Sequence, residues 1–122
     1  MSGDAVVIDR LEAVDRRQVW VPQPAWAEIV FGIARLPPSR RKTSLEERRA
    51  LVRSSVQCAE WTDDVTLAFG RIKAMLEKRG EPIEDFDAAI AAHALSDDAV
   101  LVTADMKHLP RIPGLVVEDW SK

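Results

Sequence analysis

The sequence predicts an α/β domain with a mainly parallel central sheet flanked by helices, a three-layer arrangement. Two observations carry this prediction. Segments with apolar residues at helical spacing alternate with short apolar runs along the whole chain. The stretch at residues 83–105, IEDFDAAIAAHALSDDAVLVTAD, reads as a small-residue helix, a Ser/Asp turn and a buried, parallel-type strand.

Residues 5–18 place Val7, Leu11 and Val14 at helical spacing beside Ile8, which predicts a helix with Asp4 as its N-cap. A strand at residues 5–8 ending in Asp9 is the alternative. Residues 19–21 form a short apolar strand that exits through Pro22 and Pro24. Pro24 suits the first turn of the next helix, whose buried stripe is Trp26, Ile29, Ile33 and Leu36. Glu28 lies on a different face with Phe31, Gly32 and Arg35, where Gly32 leaves open space one turn beyond the carboxylate. Pro37 and Pro38 stop that helix.

Residues 39–42 read as a basic loop, and Ser44 with Glu47 as a capping box for a half-buried helix running to about residue 56. Residues 57–61 are the second short strand. Thr62 caps a longer helix over residues 63–78, with Val65, Phe69, Ile72 and Leu76 as its stripe and Gly80 as its stop. The helix at 88–95 and the strand at 99–102 follow. A loop at 107–113 then leads to a last strand at 115–118 and to Trp120.

A chain of 122 residues fits a single domain with a real core. Its 47% hydrophobic and 30% charged residues, with a net charge of −3, describe a soluble globular protein. Its one cysteine, Cys58, rules out an intramolecular disulfide and fits a reducing compartment. With no long apolar run, a cytoplasmic protein without membrane association is expected. The acidic balance does not favour general nucleic-acid binding, but residues 35–53 form a local basic patch.

Glu28, Asp87 and Asp105 are the chemical candidates. Strand ends in open α/β sheets form ligand crevices, and carboxylates gathered there need a cation to hold them. Oxygen ligands of this kind suit Mg²⁺ or Mn²⁺, which can activate a bound water. Acids at helix starts also act as dipole-favoured caps, a reading that fits Glu84 and Asp85 well. His93, among alanines, reads as a satisfied, partly buried histidine, His108 as exposed and Cys58 as a small core residue. The basic residues Arg35, Arg40, Arg41, Lys42, Arg48, Arg49 and Arg53 suit either a solvated helix face or a phosphate-contacting patch.

The segments VWVPQPAWAEIVFGIARLP, IEDFDAAIAAHAL and AVLVTAD together resemble the PIN domain, specifically the VapC-like toxins of bacterial toxin–antitoxin pairs, over roughly residues 4–120. The resemblance implies a Mg²⁺- or Mn²⁺-dependent ribonuclease that usually forms a homodimer and is held inactive by a cognate antitoxin. It matches Glu28, Asp87 and Asp105 to the acidic positions of the metal site, Thr103 to a neighbouring hydroxyl and Asp85 to an accessory position. Arg35, Arg40, Arg41 and Lys107 or Arg111 would position the RNA phosphates. The family normally begins with an apolar strand ending in an aspartate, in the middle of the sheet. No such strand is identifiable here, so the expectation is an N-terminally shortened PIN-like domain in which two strands lack a partner. Neither Asp4 nor Asp9 is assigned to the site. The rival readings are a PIN-like module that binds an antitoxin or partner subunit without cleaving RNA, and an α/β structural protein whose acids are caps.

Overall fold

Two short parallel strand pairs organise the chain, and helices lie between the strands of the first pair, as parallel crossovers require. The computed structural model describes residues 3–15, 19–103 and 109–119. Its contacts divide the chain into two compact units, residues 1–60 and 61–122.

In the first unit, α1 (Gly3–Ala13) precedes β1 (Trp20–Pro22), α2 (Gln23–Ala34), α3 (Arg40–Ser55) and β2 (Gln57–Ala59). The helical reading of the opening segment holds, and the strand alternative does not. Asp4 lies inside α1 rather than capping it, because the helix already begins at Gly3. Ile8 and Leu11 of α1 are buried with Trp26, Ile29 and Ile33 of α2 and Leu45 and Val52 of α3. Pro24 stands in the first turn of α2, where its missing N–H costs nothing. Gly32 is buried, whereas Glu28, one turn earlier, is exposed.

The start of α3 also differs from expectation. Ser39, not Ser44, is the cap: its Oγ accepts from the Lys42 N–H at 3.1 Å. Residues 40–42 are therefore the first turn of a helix, not a loop. Lys42 Nζ reaches back to the Ala34 carbonyl at 3.0 Å, placing a cation at the negative end of α2. Arg48 forks onto both carboxylate oxygens of Glu12, at 2.7 and 3.2 Å, and also donates to Asp9, fastening α3 to α1. β1 and β2 pair in parallel with Val21 opposite Cys58.

The second unit contains α4 (Asp63–Lys78), α5 (Asp85–Ser96), β3 (Leu101–Thr103), a 3₁₀ turn (Leu109–Arg111) and β4 (Val117–Asp119). α4 has the predicted bounds, with the Thr62 hydroxyl accepting from the Val65 N–H at 3.3 Å and Gly80 ending the segment at φ +69°. Ala68 joins Val65, Ile72 and Leu76 in its buried stripe, while Phe69 packs from the margin. That stripe meets the alanines of α5, with Leu101, Leu109 and Ile112 completing the core. β3 and β4 pair in parallel, Leu101 opposite Val117.

The parallel strands flanked by helices are an α/β fold, as expected. The strands form two separate pairs, however, and among the described residues no strand joins them. No helix among those residues is long and apolar enough to cross a membrane.

The register of α4 has a direct test. Leu76 is fully buried, whereas Leu67 is 61% exposed. Leu76→Ala should lower the unfolding free energy by about 3 kcal/mol, and Leu67→Ala by no more than about 0.5 kcal/mol, both measured by urea denaturation.

Candidate functional site

The first turn of α5 carries the best-placed acid. Ala88 N–H closes on the Glu84 carbonyl at 3.0 Å, and Glu84, the N-cap residue, makes no side-chain capping bond. Negative charge at this helix start is favoured by the unpaired backbone N–H groups and the macrodipole. Asp85 and Asp87 both occupy the turn. Asp87 is half-buried; Asp85 is exposed and bonded to Lys73 Nζ from α4. That bond raises the Lys73 pKa above its ordinary value, with burial acting weakly in the opposite sense. Asp85 is thus an anchored residue on an exposed edge.

Glu28 is an exposed residue of α2 in the first unit, whereas Asp87 belongs to the second. Thr103 is the last residue of β3, but its side chain lies outside the described set, as do Asp105 and Lys107 entirely. Among the described residues no three His, Cys, Asp or Glu side chains come together as a metal site. All-oxygen donors of the Asp87 kind suit a hard cation chemically. The described donors nevertheless do not make up a centre.

The basic residues divide by what they touch. The Arg35 guanidinium lies 5.4 Å from the centre of the Phe31 ring, and that of Arg53 lies 5.9 Å from the Trp26 ring. Lys42 and Arg48 are committed to α2 and α1, as described above. Arg40 and Arg41 are exposed in the first turn of α3 and have no ion pair among the described residues. Cations gain nothing from the positive end of a helix dipole, so these two add little to the fold. They are the part of the patch best suited to an anionic ligand.

Arg111 is more deeply engaged than a surface phosphate contact would be. Its Nη2 donates to the Pro82 carbonyl at 2.9 Å and its Nη1 stands 3.5 Å from the Glu81 carboxylate. Sequence reasoning missed Lys73 altogether, because its partner lies twelve positions away on the next helix. A cavity of about 260 Å³ in this unit is lined by Ala68, Arg71, Ile72, Met75, Leu95, Ser96, Ile112 and Pro113. With no carboxylate in its wall, it is separate from the acidic turn.

His93 is buried, as the alanines around it suggested, but among the described residues it is not satisfied: neither ring nitrogen has a hydrogen-bond partner there. The Trp61 ring meets it edge to face, with centroids 5.8 Å apart. Burial lowers the His93 pKa below 6.5, opposed by the charge of Asp97. The unfolded chain therefore binds more protons in this window, and stability rises with pH. His93's contribution is complete above its unfolded value of about 6.5 and is lost as pH falls toward the depressed folded value. Thermal unfolding from about pH 7.5 down to about pH 5 should show this acid loss, and His93→Leu should flatten it. An unchanged pH slope in the variant would exclude His93 as its source.

Comparison with known proteins follows the same lines. The PIN domain family matches residues 3–115. The chain is 30% identical over 96 residues to the "Ribonuclease VapC2" of Rickettsia felis, covering 79% of this chain and 69% of that relative. It is 31% identical over 94 residues to the "tRNA(fMet)-specific endonuclease VapC" of Salmonella typhimurium, covering 76% and 68%. Among solved structures, VapBC2 from Rickettsia felis bound to a promoter DNA fragment superposes with a TM-score of 0.75 at 27% identity, over 84% of this chain and 75% of that one. VapBC-1 from nontypeable Haemophilus influenzae gives a TM-score of 0.75 at 27% identity, over 97% and 87%. With these matches, and with the α/β fold of parallel strands and helices described above, the chain belongs to the PIN-domain family, among the VapC-like toxins of type II toxin–antitoxin systems.

Proposed function

We propose that this chain acts as the toxin-side PIN subunit that engages an antitoxin or sister subunit, without by itself cleaving RNA. The observation that carries this reading is the superposition on VapC-like chains solved in VapBC complexes. Among the described residues, which do not include Asp105, no three metal-binding side chains converge. Exposed apolar residues add a physical reason to expect a protein partner. Phe31 is 63% exposed and Leu51 70% exposed, on helices of the first unit.

The second reading is a Mg²⁺- or Mn²⁺-dependent endoribonuclease. Glu28, Asp87 and Asp105 would serve as metal ligands, Thr103 as their hydroxyl neighbour and Asp85 as an accessory, with Arg35, Arg40, Arg41 and Lys107 as RNA contacts. Two observations favour it: relatives at 30 and 31% identity are named as a ribonuclease and an endonuclease, and Asp87 stands half-buried in a helix first turn. The bound cation would supply an activated water and charge neutralisation at the phosphodiester. A cytoplasmic location and a homodimer accompany either reading.

One experiment separates them. The chain and its Asp87→Asn variant are incubated with structured RNA in Mn²⁺ and in EDTA, and binding to the antitoxin encoded beside it is titrated calorimetrically. Tight antitoxin binding with no Mn²⁺-dependent cleavage is the expected result. Cleavage by the parent chain, abolished by EDTA and reduced at least about a hundredfold by Asp87→Asn, would replace the first reading with the second.

The basic residues give a narrower outcome within the second reading. Arg40→Gln with Arg41→Gln should weaken single-stranded RNA binding and shallow its salt dependence by about 0.7 per lost phosphate contact. Thermal stability should barely change, since neither residue is tied to the fold.

A further inference from the structure

α5 begins without a side-chain cap, yet its first turn presents Asp87. Two cations from outside the helix hold the segment that leads into it. Arg111, from the 3₁₀ turn after β3, bonds the Pro82 carbonyl and faces Glu81, while Lys73, from α4, bonds Asp85. Three elements that are separate in sequence therefore meet over residues 81–85, all within the second unit. Ile83, between the two fastenings, is buried in the core.

We propose that Arg111 is a positioning residue rather than a phosphate contact: with Lys73 it clamps residues 81–85, and so sets where α5 presents Asp87. Three features point this way. The guanidinium donates a charge-assisted bond to a backbone carbonyl, which fixes the main chain itself rather than a side chain. Its two acceptors are consecutive residues, so one side chain fixes both the position and the direction of the chain there. The 3₁₀ turn that carries Arg111 also follows the segment containing Asp105, so the same side chain ties the sequence after that acid to the sequence before Asp87. The proposal does not depend on either functional reading for its structural part; its effect on turnover rests on the ribonuclease reading.

The test uses the full chain, Arg111→Met, Arg111→Lys and Lys73→Met. Amide hydrogen exchange should accelerate at least about tenfold in residues 88–91 of Arg111→Met, the first amides of α5 with an intrahelical acceptor, with less acceleration in Lys73→Met, while the centre of α4 stays protected. Arg111→Lys, which can still reach the carbonyl, should recover part of the protection. Binding of a fluorescent single-stranded RNA should keep its affinity and salt slope in Arg111→Met. If the parent cleaves RNA, Arg111→Met should lower kcat about tenfold and leave KM within about twofold. Unchanged exchange at residues 88–91 would overturn the clamp. So would weaker RNA binding with a salt slope reduced by about 0.7, which is the signature of a lost phosphate contact. A parent chain that cleaves no RNA would count against the ribonuclease reading alone, and exchange would still decide the clamp.

Discussion

The contact between α4 and α5 is the constraint on which the second unit depends. Ala88, Ala91 and Ala92 of α5 are fully buried, and Ala94 nearly so, in one cluster with a stripe that includes Val65, Ala68, Ile72 and Leu76. Small side chains on one helix let the backbones approach closely, and the branched residues of the other fill the space. The alternative, larger residues on α5, would push the helices apart and move everything α5 carries. Alanine also has the highest helix propensity, so the same residues that permit the approach favour the helix itself. The position of Asp87 is in this sense a consequence of packing one turn further along.

Polar demands are met unevenly around that contact. The Trp61 indole N–H finds the Thr66 hydroxyl at 2.6 Å, and its ring leans on Phe69 with centroids 5.6 Å apart. His93, which meets the same indole edge to face, has no such partner among the described residues and stays in the core through its ring packing. A buried imidazole without a partner is held neutral by the cost of charging it there. The acids of α5 lie at the opposite end, at the helix start, where Lys73 from α4 bonds Asp85.

In the first unit, the basic patch that suggested a nucleic-acid surface proves to be partly internal fastening. Arg48 binds α3 to α1, Lys42 binds it to the end of α2, and Arg53 covers Trp26. Composition alone could not separate these from Arg40 and Arg41, because a cation's role depends on which acceptor lies within reach. The same holds for Glu28 and Asp87. Their matched positions in the sequence identify them as candidates, whereas a metal centre requires convergence, and the described residues do not supply three converging donors.

Much of the fold was legible in the sequence, for local reasons. Thr62 with Gly80 marked α4 at both ends, and the alanine run marked α5 as a closely packed helix, because caps and periodicity act within a few residues. The parallel pairing also followed from helices alternating with apolar runs. Other features were decided by tertiary structure. Ser39 capped α3 in place of Ser44, in a helix whose first turn also sends Lys42 to the end of α2. Among the described residues the strands form two pairs, in keeping with the expected lack of a first strand, but which edges bond depends on neighbours far along the chain. Lys73 and Arg111 found their work only across helices and turns: the sequence by itself determined which residues carry charge, and the folded chain determined what each charge holds.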